Sequence, residues 1–252
     1  MSYGPAVLAV AALGVFVISF MKGSFGGGFA ILGIPLLSLV MDPLTAGALL
    51  APLFVVMDAF ALYYWRPSTW SKPDVVLLVP SMAVGIGLGF LALRVLDPHL
   101  TAIVMAVITL VFAGLWLFGR GRQQPVPRST PRAIVAGTAS GLTTMVAHSG
   151  GPPLAMYLLP LGLQKAVYAG TTSFVFMISN LLKVWPWLLL AKPTPGLWSL
   201  MLLCTPFIPL AVWAGWKLHQ RLDEAQLYRA CYVLLVVVAV KLLWDGVTGY
   251  LA

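Results

Sequence analysis

The stretch FMKGSFGGGFAILGIPLL, residues 20–37, decides the fold because it places a lysine and a glycine cluster inside a long apolar run. As one straight helix, the whole run of residues 5–41 would extend roughly 55 Å. The hydrocarbon core of a bilayer is only about 30 Å thick. The chain is therefore expected to enter the membrane and return, with the glycines at the turn. The returning pair is either a re-entrant hairpin or two short full helices.

The composition indicates a polytopic membrane protein. Of the 252 residues, 60% are hydrophobic and only 9% are charged, whereas soluble domains are about 25% charged. Apolar runs long enough to cross a bilayer recur along the chain. The net charge of +8 does not indicate nucleic-acid binding, because basic residues of membrane proteins collect in cytoplasmic loops. No basic stripe interleaved with aromatic residues is present.

Glycine, proline and charged residues divide the chain into ten apolar segments. Their predicted bounds are 5–22, 27–41, 44–66, 74–94, 98–118, 132–147, 151–163, 166–190, 196–218 and 226–250. The basic, proline-containing link GRGRQQPVPRSTPR (119–132) separates them five and five. The predicted organisation is an N-terminal repeat (1–118), a basic cytoplasmic linker (119–131) and a C-terminal repeat (132–252).

The two halves resemble each other at unusual residues. GSFGGGFAILGIPLL (23–37) corresponds to AHSGGPPLAMYLLPL (147–161). ALLAPLFVVMDAFALYYW (48–65) corresponds to GTTSFVFMISNLLKVWPW (170–187), an alignment that places Asp58 opposite Asn180. These matches favour an internal repeat.

The distribution of basic residues predicts the topology. If each glycine-broken pair returns to its starting side, ten loop lysines and arginines share one side and three lie on the other. If each pair crosses once, the split is eight against five. The positive-inside rule favours the first arrangement, with both termini in the periplasm. The expected fold is an all-α polytopic membrane protein of two inverted repeats, each a Gly-broken helical hairpin plus three transmembrane helices.

The glycine breaks predict a binding site. Irregular backbone persists in a membrane only inside protein or beside water, because unsatisfied backbone groups are costly in lipid. Segments 27–41 and 151–163 begin at the breaks, and helix N-termini carry partial positive charge and N–H donors. Two such N-termini meeting from opposite faces would form a site for a small anion. The alternative is that these small residues only let helices pack closely.

Polar side chains inside apolar segments extend the predicted site. Lysines within a membrane are costly, so Lys183 is expected to face the pathway, whereas Lys22 either does so or extends to the interface. Asp58 either relays a coupling proton or pairs structurally with a lysine. His148 either contacts the anion or is a buried, hydrogen-bonded histidine. The candidate substrate-binding residues are Lys22, Ser24, Gly26, Gly27, Gly28, His148, Ser149, Gly150, Gly151, Asn180 and Lys183, with Asp58 as the coupling candidate.

The motifs that carry these residues resemble the TauE/SafE sulfite exporter family, also called the TSUP family. They are GSFGGGFAILGIPLL (23–37), SGLTTMVAHSGGPPLAMYLL (140–159) and AGTTSFVFMISNLLKVW (169–185). The resemblance covers nearly the whole chain. It implies a bacterial inner-membrane transporter of small sulfur-containing anions such as sulfite, sulfonates and related organosulfur anions.

The expected function is therefore secondary transport by alternating access, because inverted repeats with broken helices are typical of such transporters. An anion channel and an intramembrane enzyme acting on an anionic lipid head group are the alternatives. No paired carboxylates, metal-ligand spacing or nucleophile–base motif favours an enzyme. The expected partners are a small anion, the lipid bilayer and, for coupling, a proton or cation. No cofactor, metal or nucleic acid is expected.

Overall fold

The computed structural model of the protein consists of α-helices joined by turns, and the described residues contain no strand. The described residues are 3–28, 37, 39–41, 43–92, 99–100, 103–104, 106–107, 109–111, 114 and 125–251. Most of the predicted segments 27–41 and 98–118 lies outside them.

Apolar runs bounded by proline, glycine and charged residues form the helices. They are α1 (Pro5–Phe25), α2 (Pro43–Tyr64), α3 (Lys72–Ala92), α4 (Thr130–Ala147), α5 (Gly151–Leu158), α6 (Lys165–Ala191), α7 (Pro195–Cys204), α8 (Phe207–Arg221) and α9 (Glu224–Leu251). Short 3-10 turns lie at Pro67–Thr69 and Leu159–Leu161. Proline occupies the first turn of α1, α4, α5 and α7, where its missing N–H would have no helical partner.

One predicted segment is divided in the structure. Residues 196–218 were expected as one helix, but α7 and α8 form a pair bent by 40°. Pro206 lies in the gap between them. Its ring clashes with the preceding turn and it has no N–H to donate, so a proline at this position interrupts the helix.

Several helices are long and apolar enough to cross a membrane, which confirms the expected all-α polytopic class. By length and composition they are Pro5–Phe25, Thr45–Tyr64, Lys72–Ala92, Lys165–Ala191 and Glu224–Gly249. The bent pair α7 and α8 counts as a further span if it is treated as one crossing. These candidate spans are the ones found within the described residues.

The chain divides into two compact units, and each contains helices from both sequence halves. Unit 1 comprises Met1–Trp70 and Ala169–Arg221, and unit 2 comprises Ser71–Tyr168 and Leu222–Ala252. In unit 1, α1 packs on α8, and in unit 2, α3 packs on α4. Thus α1, the first helix of the N-terminal half, packs on a helix of the C-terminal half, and α4, the first helix of the C-terminal half, packs on a helix of the N-terminal half. The predicted inverted orientation and the boundaries of the sequence repeats stay predictions.

Glycines bring the paired helices of each unit into backbone contact. A Cβ atom built on Gly85 of α3 would lie 2.1 Å from the carbonyl oxygen of Thr138, and one built on Gly141 of α4 would lie 2.1 Å from that of Met82. In unit 1, a Cβ atom on Gly23 of α1 would lie 2.2 Å from the carbonyl oxygen of Val212. The alternative to a binding site at the glycine motifs was that small residues only let helices pack closely. This alternative applies to Gly23.

Two glycines of α3 provide a matched test of this packing. Gly85→Ala is expected to destabilise the protein by about 1–3 kcal/mol, because backbone atoms of α4 must move to admit the methyl group. Gly87 has no atom within 4 Å of its potential Cβ, so Gly87→Ala is expected to be neutral or to stabilise by up to about 1 kcal/mol. Thermal unfolding in detergent measures both effects. Equal effects would contradict the packing assigned to Gly85.

Candidate functional site

The first glycine break is a left-handed turn at the end of α1. Gly26 has a φ of 77° and Gly27 a φ of 98°, a region that glycine adopts without the steric cost of a Cβ atom. The Gly26 N–H donates to the carbonyl oxygen of Lys22 at 3.1 Å and closes the helix. A Cβ atom on Gly26 would also lie 2.3 Å from the carbonyl oxygen of Ala169. Both the conformation and the close approach therefore require glycine at this position.

The last turn of α1 carries a buried ion pair. The side chain of Lys22 donates to one carboxylate oxygen of Asp58 in α2. The two side chains are only 2% and 1% exposed. Asn180 of α6 donates its amide to the other carboxylate oxygen of Asp58. Three helices of unit 1 are thus joined at one carboxylate, and Lys22 does not extend to the surface.

A second buried lysine lies beside this pair. Lys183 is 2% exposed and follows Asn180 on α6 at a spacing of i, i+3, so both side chains project from the same face. The ammonium nitrogens of Lys183 and Lys22 lie 4.9 Å and 5.0 Å from the centroid of the Phe54 ring. Such cation–π contacts stabilise an ammonium group that has lost water. The structure therefore assembles two ammonium groups and one carboxylate around Phe54.

Of the other predicted residues of the first break, Gly27 adjoins this cluster. A Cβ atom on Gly27 would lie 3.7 Å from the ammonium nitrogen of Lys22, which places the turn against that side chain. Gly28 is buried. Ser24 is also buried, but its hydroxyl donates to the carbonyl oxygen of Phe20 at 2.9 Å within α1.

The second glycine break belongs to unit 2. His148, which follows α4, has a left-handed φ of 50°, the same conformation that Gly26 adopts after α1. The buried residues Ser149 and Gly150 lead into α5, which begins at Gly151. Ser140 of α4 donates its hydroxyl to the carbonyl oxygen of Gly150. The expected contribution of His148, Ser149, Gly150 and Gly151 to a site shared with the first break stays a prediction.

Two residues near the first break were missing from the sequence-based site. Phe54 was missed because an aromatic residue within an apolar segment carries no distinctive pattern. His219 of α8 is 1% exposed, and its Nδ1 donates to the carbonyl oxygen of Ser24 at 2.7 Å. Its ring contacts Trp65, with the ring centroids 4.5 Å apart. His219 was missed because it lies in the polar stretch KLHQR (217–221) at the end of α8, where a histidine is expected at the surface.

Comparison with known proteins identifies the family. The family model described as "Sulfite exporter TauE/SafE" matches residues 10–242 of the chain. Comparison with curated proteins and with solved structures gives no match. The family consists of transporters, which agrees with the expectation that the chain is not an enzyme. The long match, together with the apolar helices, shows that this chain is a multi-pass membrane protein of the sulfite exporter TauE/SafE family.

Proposed function

We propose that the protein is a secondary transporter of a small sulfur-containing anion, such as sulfite, a sulfonate or a related organosulfur anion. It moves the anion across the bacterial inner membrane by alternating access. The observation that carries the proposal is the buried cluster of Lys22, Lys183 and Asp58 in unit 1. Family membership supports the class of substrate. The absence of a phosphate-binding P-loop motif from the sequence supports transport without nucleotide hydrolysis on this chain.

The charge balance of the cluster supports binding of an anion. Asp42 and Asp58 are the only acidic residues in the sequence of unit 1, and Asp42 lies outside the described residues. Asp58 can compensate one of the two buried ammonium groups. Opposite charges attract strongly where the dielectric constant is low, so two ammonium groups beside one carboxylate would attract an entering anion.

The donors of the cluster suit an oxyanion of sulfur. An ammonium group has three N–H donors and no acceptor, and its hydrogen bonds to an anionic oxygen are charge-assisted. The left-handed turn at Gly26 and Gly27 permits the close approach of backbone to Lys22. We propose His148, at the second break, as a further anion-contacting residue.

The proposed alternation of access depends on the internal repeat. The packing of α1 on α8 and of α3 on α4, each across the two sequence halves, supports a repeat. Transporters built from inverted repeats alternate access by moving one part of the repeat against another. The excess of basic loop residues on one side supports periplasmic termini. A C-terminal alkaline phosphatase fusion tests that orientation, because this enzyme is active only in the periplasm.

Counterflow in proteoliposomes tests the function. Purified protein is reconstituted in liposomes loaded with unlabelled sulfite, sulfate or sulfoacetate under anaerobic conditions, and uptake of each ³⁵S-labelled anion is measured against protein-free liposomes. A carrier gives saturable uptake that is accelerated by the same anion inside. Ohmic current without counterflow would support a channel, and release of a lipid head-group product would support an enzyme. Absence of flux for every sulfur-containing anion would contradict the proposal.

A further inference from the structure

We propose that the hydroxyl group of Ser173 in α6 donates a hydrogen bond to the transported anion, at the glycine turn of residues 26–27. This inference rests on the proposed function, because it assigns a further contact to the same anion. It adds a neutral hydrogen-bond donor to the two lysines, and the observation behind it is a buried polar atom that has no partner in the described part of the chain.

The Ser173 hydroxyl is buried and unsatisfied. Ser173 is 1% exposed, and its Oγ atom has no hydrogen-bond partner among the described residues. A buried hydroxyl without a hydrogen bond is costly, because it has lost its contacts with water. Such groups are uncommon in native structures. A ligand that accepts a hydrogen bond from Ser173 would account for this one.

Other hydroxyls in the helices are satisfied by their own helix. Ser19 of α1, for example, donates to the carbonyl oxygen of Val15 at 2.7 Å, and this bond to residue i−4 is a usual one for a helical serine. For Ser173 the corresponding acceptor is the carbonyl oxygen of Ala169. Gly26 lies directly against that oxygen, where a Cβ atom would clash with it. The glycine turn thus occupies the space beside the acceptor that Ser173 would otherwise use.

Ser173 belongs to the stripe of α6 that packs against this turn. The members of the stripe are spaced four, three and four residues apart, as neighbours on one helix face are, and they are Ala169, Ser173, Phe176 and Asn180. Ala169 contacts Gly26, and a Cβ atom on Gly27 would lie 3.6 Å from a ring carbon of Phe176. Ser173 lies between these two contacts, so its hydroxyl is on the face of α6 that adjoins the turn.

The Lys22 ammonium group adjoins the same turn. The Cβ position of Gly27 that lies beside Phe176 is also 3.7 Å from the ammonium nitrogen of Lys22. Ser173 precedes Phe176 by three residues, or about 4.5 Å along the axis of α6. An oxyanion that accepts from Lys22 with one oxygen can therefore reach the Ser173 hydroxyl with another. Hydrogen bonds from a hydroxyl to an anionic oxygen are short and strong, so this contact would satisfy Ser173 and hold the anion.

Ser173→Ala is expected to weaken anion binding at least about tenfold, or about 1.4 kcal/mol. Isothermal titration of the purified protein in detergent, under anaerobic conditions, measures the dissociation constants of sulfite, sulfate and sulfoacetate. For an anion that shows counterflow but binds too weakly for titration, the concentration at half-maximal uptake is compared. Without anion, the variant should unfold at the same temperature as the wild-type protein or a higher one, because it removes a buried polar group that has no partner.

Ser19→Ala is the matched control. Ser19 is also buried and precedes Lys22 by three residues on α1, but its hydroxyl is bonded within the helix and is not available to an anion. Its dissociation constants are expected to stay within about twofold of the wild-type values, or about 0.4 kcal/mol.

The outcomes separate this inference from the proposed function. If the wild-type protein binds or transports one of the three anions and Ser173→Ala handles it equally well, the inference is overturned and anion transport stands. The inference is also overturned if Ser173→Ala lowers the unfolding temperature together with the affinity, or if Ser19→Ala weakens binding as much. If the wild-type protein binds none of these anions and shows no counterflow of any sulfur-containing anion, the proposed function and the inference fail together.

Discussion

Replacing Lys183 by methionine is expected to reduce anion uptake at subsaturating concentration at least about 100-fold, or about 2.7 kcal/mol. A hydrogen bond to a charged group contributes about 1.5–3 kcal/mol, and the variant removes the donors of a buried ammonium group that lies beside the Lys22–Asp58 pair. Methionine has a similar length and no charge, so the side chain still fills the space beside Phe54. Counterflow in proteoliposomes measures the loss.

Lys183→Met should also keep its fold, which separates loss of function from loss of structure. The variant leaves a neutral ion pair in the cluster, and replacement of a buried charge by an apolar side chain is often neutral or stabilising. Lys217→Met is the control, because Lys217 is exposed on α8 and should retain uptake within about twofold. Normal uptake by folded Lys183→Met would remove Lys183 from the transport pathway.

Several polar residues of this cluster could be identified from the sequence because charges inside a membrane require partners, and their role in substrate binding stays a prediction. Lys22, Asp58, Asn180 and Lys183 were recognisable as polar residues within apolar segments. The repeat alignment placed Asp58 opposite Asn180, and the structure joins these two side chains by a hydrogen bond. It also assigns Lys22 to the ion pair that the sequence left open between Lys22 and Lys183. Among the described residues, the ends of most helices followed from prolines, glycines and charged residues at the ends of apolar runs, whereas the division between α7 and α8 did not.

Other features could not be predicted because they depend on which helices meet. A glycine that admits a neighbouring backbone, such as Gly23, has the same local sequence signature as one with positive φ, such as Gly26. Phe54 is one of many aromatic residues, and only the packing of α1, α2 and α6 brings two lysines to its ring. The pairing of α1 with α8 likewise follows from contacts between distant segments. Hydrophobic periodicity describes each helix alone and carries no information about its neighbour.

The buried ion pair also predicts that Lys22→Met lowers the stability of the wild-type protein and raises the stability of the Asp58→Asn variant. Asp58→Asn alone removes the carboxylate that pairs with the buried Lys22 and is expected to destabilise the protein by about 3–5 kcal/mol. In the wild-type protein, Lys22→Met removes a partner of Asp58 and should be destabilising. In the Asp58→Asn background, the same change removes a repelling charge and should restore about 1–2 kcal/mol. Denaturant unfolding in mixed micelles measures the four free energies of unfolding.

A second ion pair on the same chain provides the control for this reversal. Lys241 and Asp245 form an (i, i+4) pair on α9, with side chains 19% and 44% exposed. Because exposed pairs contribute about 0–1 kcal/mol, Lys241→Met should change stability by less than about 1 kcal/mol whether or not Asp245→Asn is present. Burial is identified as the cause if the stability change caused by Lys22→Met reverses its sign in the Asp58→Asn background, and the one caused by Lys241→Met does not reverse in the Asp245→Asn background. If Asp58→Asn is as stable as the wild-type protein, the Asp58 carboxylate does not stabilise the buried Lys22, and the ion pair assigned to these two residues does not contribute to the fold.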